Sequence, residues 1–228
     1  MSKKKSKRYR SISATTGVFH VEDAIGKLKE QPSVKFDENV ECSFALNLLK
    51  KHVVRDTLVY EHNFGKTKRV LVFAKGKYAD EAKAAGADFV GDTEFIEKIK
   101  GGWLEFDVVI AVPDMMKDLA KIAQILGSRG LMPSPKAKTI TLKVTEAVKA
   151  VKAGRREFRA NSEGVLNFPV GKKSMSDKAL AENTRILYDA VLKKKPPDLK
   201  GDYIRSIYIT TTMGRSVKLN TRQLFKEG

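Results

Sequence analysis

The triplet Gly65-Lys66-Thr67 comes nearest to a phosphate-binding loop, and it fails as one. A P-loop needs another glycine five residues upstream, where Tyr60 stands. It must also follow a strand and open a helix, so that helix N–H groups face phosphate. Here the triplet leads into an apolar run, Val70–Ala74. The segment after that run, AKGKYAD, has one glycine where a dinucleotide fingerprint needs three. His20, His52 and His62 have no acidic or nucleophilic partner at a suggestive spacing and read as loop or surface histidines. The single cysteine, Cys42, excludes an intramolecular disulfide and a cysteine-based zinc cluster. Neither a cofactor nor a metal is expected. Two segments are better suited to holding a polyanion than to reacting. In Thr210-Thr211-Thr212-Met213-Gly214, hydroxyls and open backbone N–H groups suit ribose and phosphate, and a thioether can pack on a base or sugar. In Gly127–Lys138, glycines, prolines and no acid present Arg129, Lys136 and Lys138, either as a tight connection or as a phosphate contact.

Composition points the same way. The 228 residues carry 44 Lys+Arg against 27 Asp+Glu, a formal net charge of +17, yet 42% are hydrophobic, enough to build a core. The expected partner is therefore a polyanion held by a folded protein. No apolar run approaches the roughly 20 residues that span a bilayer. The basic start, MSKKKSKRYRS, is not followed by the apolar core of a secretion signal. A soluble intracellular protein is expected, with residues 1–17 as a charged arm.

The elements that must position these residues change character twice. Val21–Glu30 predicts a helix with Val21, Ala24, Ile25 and Leu28 inward, stopped by Pro32. Val40, Cys42, Phe44, Leu46 and Leu48 alternate with Glu41, Ser43, Ala45 and Asn47, a half-buried antiparallel strand with Cys42 in the core. Another strand is expected around Val53–Tyr60. From about residue 69, continuous apolar strands (Val70–Ala74, Phe89–Val90 and DVVIAV) alternate with helices ending at Gly86, over Thr93–Lys100 and over Asp114–Leu126. A strand at Thr139–Leu142 and a helix at Thr145–Ala153 complete what reads as a parallel α/β sheet. After Gly154 a hairpin of Glu157–Ala160 with Val165–Val170, a helix opened by Ser176, and strands Tyr203–Thr212 and Val217–Leu219 return to α+β. The economical fold is a discontinuous α+β domain (1–67 and 155–228) with an inserted α/β, Rossmann-like domain (68–154), hinged at the two crossings. An enzyme using nucleotides in the α/β part is the rival reading, and stabilisation by ATP, GTP or NAD would favour it.

The segments DVVIAVPDMM, ILGSRGLMPSPK, VKAGRREFR, YDAVLKKKP and YIRSIYITTTMGRSVKLN together resemble the L-one family of large-subunit ribosomal proteins, bacterial or organellar type, over about Arg8 to Leu219. The resemblance implies a non-enzymatic constituent of the large ribosomal subunit, monomeric within a cytoplasmic or organellar ribosome. It implies binding to large-subunit rRNA at the mobile stalk beside the tRNA exit site, help in releasing deacylated tRNA there, and repression of its own mRNA. Carried over by motif, Lys35, Phe36, Thr210, Thr212, Met213 and Gly214 fall at or beside the main rRNA contacts. Lys172, Ser174 and Arg215 extend that set, and Arg129 and Lys136 are secondary RNA contacts. Phe36 reads equally well as a core aromatic. The sequence departs from the family in several places. The segment after the first long strand, ALNLLKKHVVRD, is short, and the turn before Lys66 is reduced to Asn63-Phe64-Gly65. Asp23 replaces a glutamate, while Ser128 and Arg215 replace prolines.

Overall fold

The computed structural model describes residues 16–32, 34–49, 51–135, 137–221 and 223–225. In chain order its elements are β1 (Val18–Phe19), α1 (Val21–Glu30), β2 (Asn39–Leu46), β3 (Arg55–Leu58), β4 (Val70–Phe73), α2 (Lys77–Ala84), β5 (Phe89–Gly91), α3 (Thr93–Lys100) and β6 (Val108–Ala111). Then follow α4 (Met116–Leu119), α5 (Ala123–Ser128), α6 (Val144–Lys152), β7 (Arg156–Arg159), β8 (Val165–Lys172), α7 (Asp177–Leu192), β9 (Ile204–Thr211) and β10 (Val217–Leu219). The chain divides into two compact units. One holds the residues up to Phe64 and from Phe158 onward; the other is Gly65–Glu157.

The first unit is a five-stranded sheet in the order β1-β10-β9-β2-β8, with α1 and α7 packed on it. β2 is antiparallel to both its neighbours. Its strict alternation buries Val40, Cys42, Phe44 and Leu46 on the helix-covered side, as period two requires. Leu48 lies beyond the strand. Cys42 is completely buried; burial pushes its thiol up to about 12, a hydrogen bond with Thr184 offsetting part of this, so the group is inert. α1 buries Val21, Ala24, Ile25 and Leu28, the 3.6-residue stripe, and ends one residue before the restriction that Pro32 imposes on Gln31. α7 is capped by Ser176, whose hydroxyl accepts from the Ala179 N–H. The outer edge of β8 is covered: the Asn183 side chain donates to Val170 O at 2.8 Å and Tyr60 to Pro169 O at 2.9 Å. Pro169 is tolerated because β8 is an edge strand.

In the second unit, β5, β4 and β6 form a parallel sheet in that order. β4 is buried along its whole length because both of its faces are covered. Leu71 and Phe73 pack with Ile96, Ile99, Leu119, Ile122 and Leu126, while Val70 and Val72 pack with Ala82, Val144, Val148 and Val151. This is the three-layer, doubly wound arrangement that the continuous apolar runs predict.

Three expectations need correction. Residues 157–160 and 165–170 are not a hairpin. β7 pairs with β3 and β8 with β2, although Asn161 does close a turn by accepting from Val165 N–H at 2.7 Å. The Thr139–Leu142 strand shrinks to a single parallel bridge, Ile140 to Ala111. The helix expected over Asp114–Leu126 is broken into α4, α5 and two 3₁₀ turns, Pro113–Met115 and Ala120–Ile122.

Candidate nucleic-acid interface

Because β2 runs opposite to both neighbours, its first residue lies beside their last ones. Asn39 is level with Lys172 of β8, and Val40 with Thr211 of β9. Three connections therefore meet at one rim of the sheet: the approach to β2, the exit of β8 and the exit of β9. Lys35, Phe36, Ser174 and Thr212 to Arg215 lie on them, and Lys172, Thr210 and Thr211 end the strands that lead into them. The register of β2 against β8 shifts next to this rim, between Val40 and Glu41, as bulges near binding surfaces do.

Long-range hydrogen bonds knit the connections together. The Asp37 carboxylate accepts from the Ser174 N–H at 3.2 Å and from the Ser174 hydroxyl at 2.8 Å. Lys173 N–H donates to Glu38 O at 2.8 Å and Lys172 Nζ to Asp37 O at 3.3 Å. The Lys173 ammonium reaches Gln31 O at 2.7 Å. On the other side, Thr212 N–H donates to Asn39 O, and Asn39 N–H donates to the Thr212 hydroxyl, both at 3.0 Å. Gly214 N–H closes a turn onto Thr211 O at 3.1 Å. A Cβ on Gly214 would overlap Thr211 Oγ1 and Gln31 Oε1, so only glycine fits this turn. Thr210 turns its hydroxyl to Thr211 O at 3.1 Å.

This framework leaves two large apolar side chains in solvent. Phe36 is 55% exposed and Met213 53%, beside the exposed Lys35. The core-aromatic reading of Phe36 is thus overturned: its backbone is anchored by Asp37 and Glu38 while its ring faces out. An exposed ring and thioether on an ordered, cation-bearing rim offer stacking surfaces next to charge, the combination that single-stranded and looped RNA requires. Thr211 lies beneath the turn, 2% exposed, and its hydroxyl has no hydrogen-bond partner among the described residues.

Other sequence candidates lie elsewhere. Arg129 belongs to the second unit and is exposed at the end of α5. There Gly130 (φ 68°) and the bond from Leu131 N–H to Leu126 O at 2.8 Å terminate the helix. Lys136 lies outside the described residues. Two histidines have the acidic partners that their local spacing did not reveal: His52 meets Asp198 at 3.0 Å, and His62 bonds Glu182. Each pair joins residues more than a hundred positions apart. Hydrogen bonds from Lys51 and His52 hold the Asp198 carboxyl down to about 2. Glu61, His62 and Glu182 bring ligand-type atoms within 4.8 Å of one another, at a partly exposed ion pair.

Sequence reasoning missed Gln31, Asp37 and Asn39, which hydrogen-bond to the candidate residues.

Residues 28–215 match the sequence pattern of the Ribosomal protein L1p/L10e family. The large ribosomal subunit protein uL1 of Borreliella burgdorferi is 52% identical to this chain over 222 residues, covering 96% of this chain and 98% of that protein. The protein of the same name from Borrelia hermsii is 51% identical over 222 residues, and that from Treponema denticola 46% over 217. With most of its length matched by a family of structural, non-enzymatic proteins, the chain belongs to the bacterial-type L1 ribosomal proteins.

Proposed function

We propose that this protein is a constituent of the large ribosomal subunit in the cytoplasm, and that it binds large-subunit rRNA through the β2-β8-β9 rim of its first unit. The observation that carries the reading is the exposure of Phe36 and Met213 on a rim whose backbone is fixed by long-range hydrogen bonds. Folding gains nothing by leaving two large apolar groups in water on so ordered a surface, whereas an RNA loop can cover them. Lys35, Lys172 and Arg215 supply charge beside them, and Thr210, Thr212 and Gly214 supply short polar contacts. Ser174 serves chiefly to hold Asp37. Arg129 and Lys136 add a secondary RNA contact from the second unit. The two units act as separate domains, 1–67 with 155–228 and 68–154, joined by a hinge. At the mobile stalk beside the tRNA exit site, the protein would meet exit-site tRNA and aid its release, and a similar fold in its own mRNA would allow repression.

Chemical footprinting on large-subunit rRNA tests the reading. The expected result is one protected junction, lost when Phe36 and Met213 are both changed to Ala while the melting temperature holds. Protection spread evenly over unrelated helices would mean that the +17 charge alone does the binding.

A further inference from the structure

Gln31 reaches the binding turn with two side-chain hydrogen bonds, both to the backbone of Arg215. Its side-chain amide grips one peptide unit pair from both sides: Oε1 accepts from the Arg215 N–H at 2.8 Å, and Nε2 donates to Arg215 O at 3.1 Å. These partners are 184 residues apart in sequence. Gln31 is itself held. Its N–H bonds Leu28 O at 3.3 Å, its carbonyl takes the Lys173 ammonium at 2.7 Å, and Pro32 behind it favours the extended backbone observed (φ −65°, ψ 144°). A side chain on a fixed stem that saturates both backbone groups of one residue is a lock on that residue's position.

Proline at position 215 would restrict φ by its ring and have no N–H to give. Arginine keeps both the backbone freedom and the donor, and here that donor is the group Gln31 captures. Gly214 completes the fit, because its missing Cβ is the space that Gln31 Oε1 and Thr211 Oγ1 occupy.

We propose that Gln31 is a positioning residue for the RNA-binding turn, its two bonds to the Arg215 backbone doing for Thr212-Met213-Gly214 what a ring-locked proline would do. The proposal rests on the rRNA reading of this rim. In the full chain, Gln31→Met keeps the side chain's length and removes both bonds. The probe is a transcript of the stalk junction of large-subunit rRNA, with a scrambled transcript of equal length as control. Two ordinary hydrogen bonds correspond to about a 5- to 30-fold loss of affinity for the junction. Amide exchange at Arg215 should accelerate by about tenfold or more as the turn opens locally. Adding Arg215→Pro to Gln31→Met should recover most of the affinity, measured against Gln31→Met with Arg215→Ala so that the lost charge cancels. A role confined to overall stability predicts no such rescue. Wild-type exchange and affinity in Gln31→Met, or a proline double variant no tighter than its alanine counterpart, would overturn the proposal. If the wild-type protein binds junction and scrambled transcripts alike, it is the rRNA reading that fails. The exchange rate then still decides whether Gln31 holds the turn.

Discussion

The rim of the first unit and the loop at 127–139 of the second are both cationic and both contain a glycine that only a turn requires, yet they are built in opposite ways. The loop closes on itself. Ser134 N–H donates to the Thr139 hydroxyl at 2.8 Å, Thr139 N–H to Ser134 O at 3.2 Å, and Ala137 N–H to the Ser134 hydroxyl at 3.2 Å. The partners in these three bonds are within six positions of each other, and Lys138 is held at a positive φ of 53° inside the turn. The rim is tied by bonds between residues 135 to 184 positions apart and leaves an aromatic ring and a thioether in solvent. A locally closed turn can carry charge on any fold. A surface assembled from three distant segments exists only in the folded protein and can hold a shape. Charge gives affinity for any phosphate chain, while shape gives a choice among RNAs.

The harshest way to break that contrast is Gly214→Val. The branched side chain must displace Thr211 and Gln31 from beneath the turn. Overpacking of this kind costs about 1–3 kcal/mol, and relief by opening the turn would appear as a binding loss of about 5- to 150-fold. Filter binding to the junction transcript at fixed salt checks this. Affinity within a factor of two of wild type would show that the rim's shape does not matter.

How much of this was visible in the sequence depends on the range of the interaction concerned. The stripe of α1, the alternation of β2 and the span of α3 follow from local period, and each lies where the pattern puts it. Met213 lies in a polar motif that is contiguous in sequence, Thr210 to Gly214, whereas Lys35 and Phe36 carry no such signal and enter only through the family resemblance. Pairing was illegible: the turn at Asn161 has the chemistry of a hairpin turn, but β8 pairs with β2, which is more than a hundred positions away in sequence. Gln31, Asp37 and Asn39 were invisible because each acts on backbone groups more than 130 positions away. The histidine–carboxylate pairs were hidden for the same reason.

Thr212→Val is a milder test that separates two roles of one hydroxyl. That hydroxyl accepts from the Asn39 N–H, so its loss leaves a backbone donor unmatched where β2 and β9 meet the solvent. The expected loss of junction affinity is about 5- to 30-fold, from a cost of about 1–2 kcal/mol, with faster amide exchange at Asn39 and recovery in Thr212→Ser. Weakened binding with Asn39 still protected would instead place the hydroxyl directly on the RNA.

Arg129→Ala should have the smallest effect and be the most diagnostic of the comparison. If the loop contributes only charge, its arginine neutralises one phosphate without reading which RNA carries it. Affinity at low salt should fall by about two- to threefold, and the slope of log K against log salt should flatten by about one unit. The preference for junction over scrambled transcript should not move, because both RNAs lose the same contact. The melting temperature should also stay put, since the side chain is exposed and the helix end is held by Gly130 and Leu131. A drop in preference with an unchanged salt slope would reverse the assignment. The loop would then be part of what selects the RNA, and a turn closed within six residues would carry shape as well as charge.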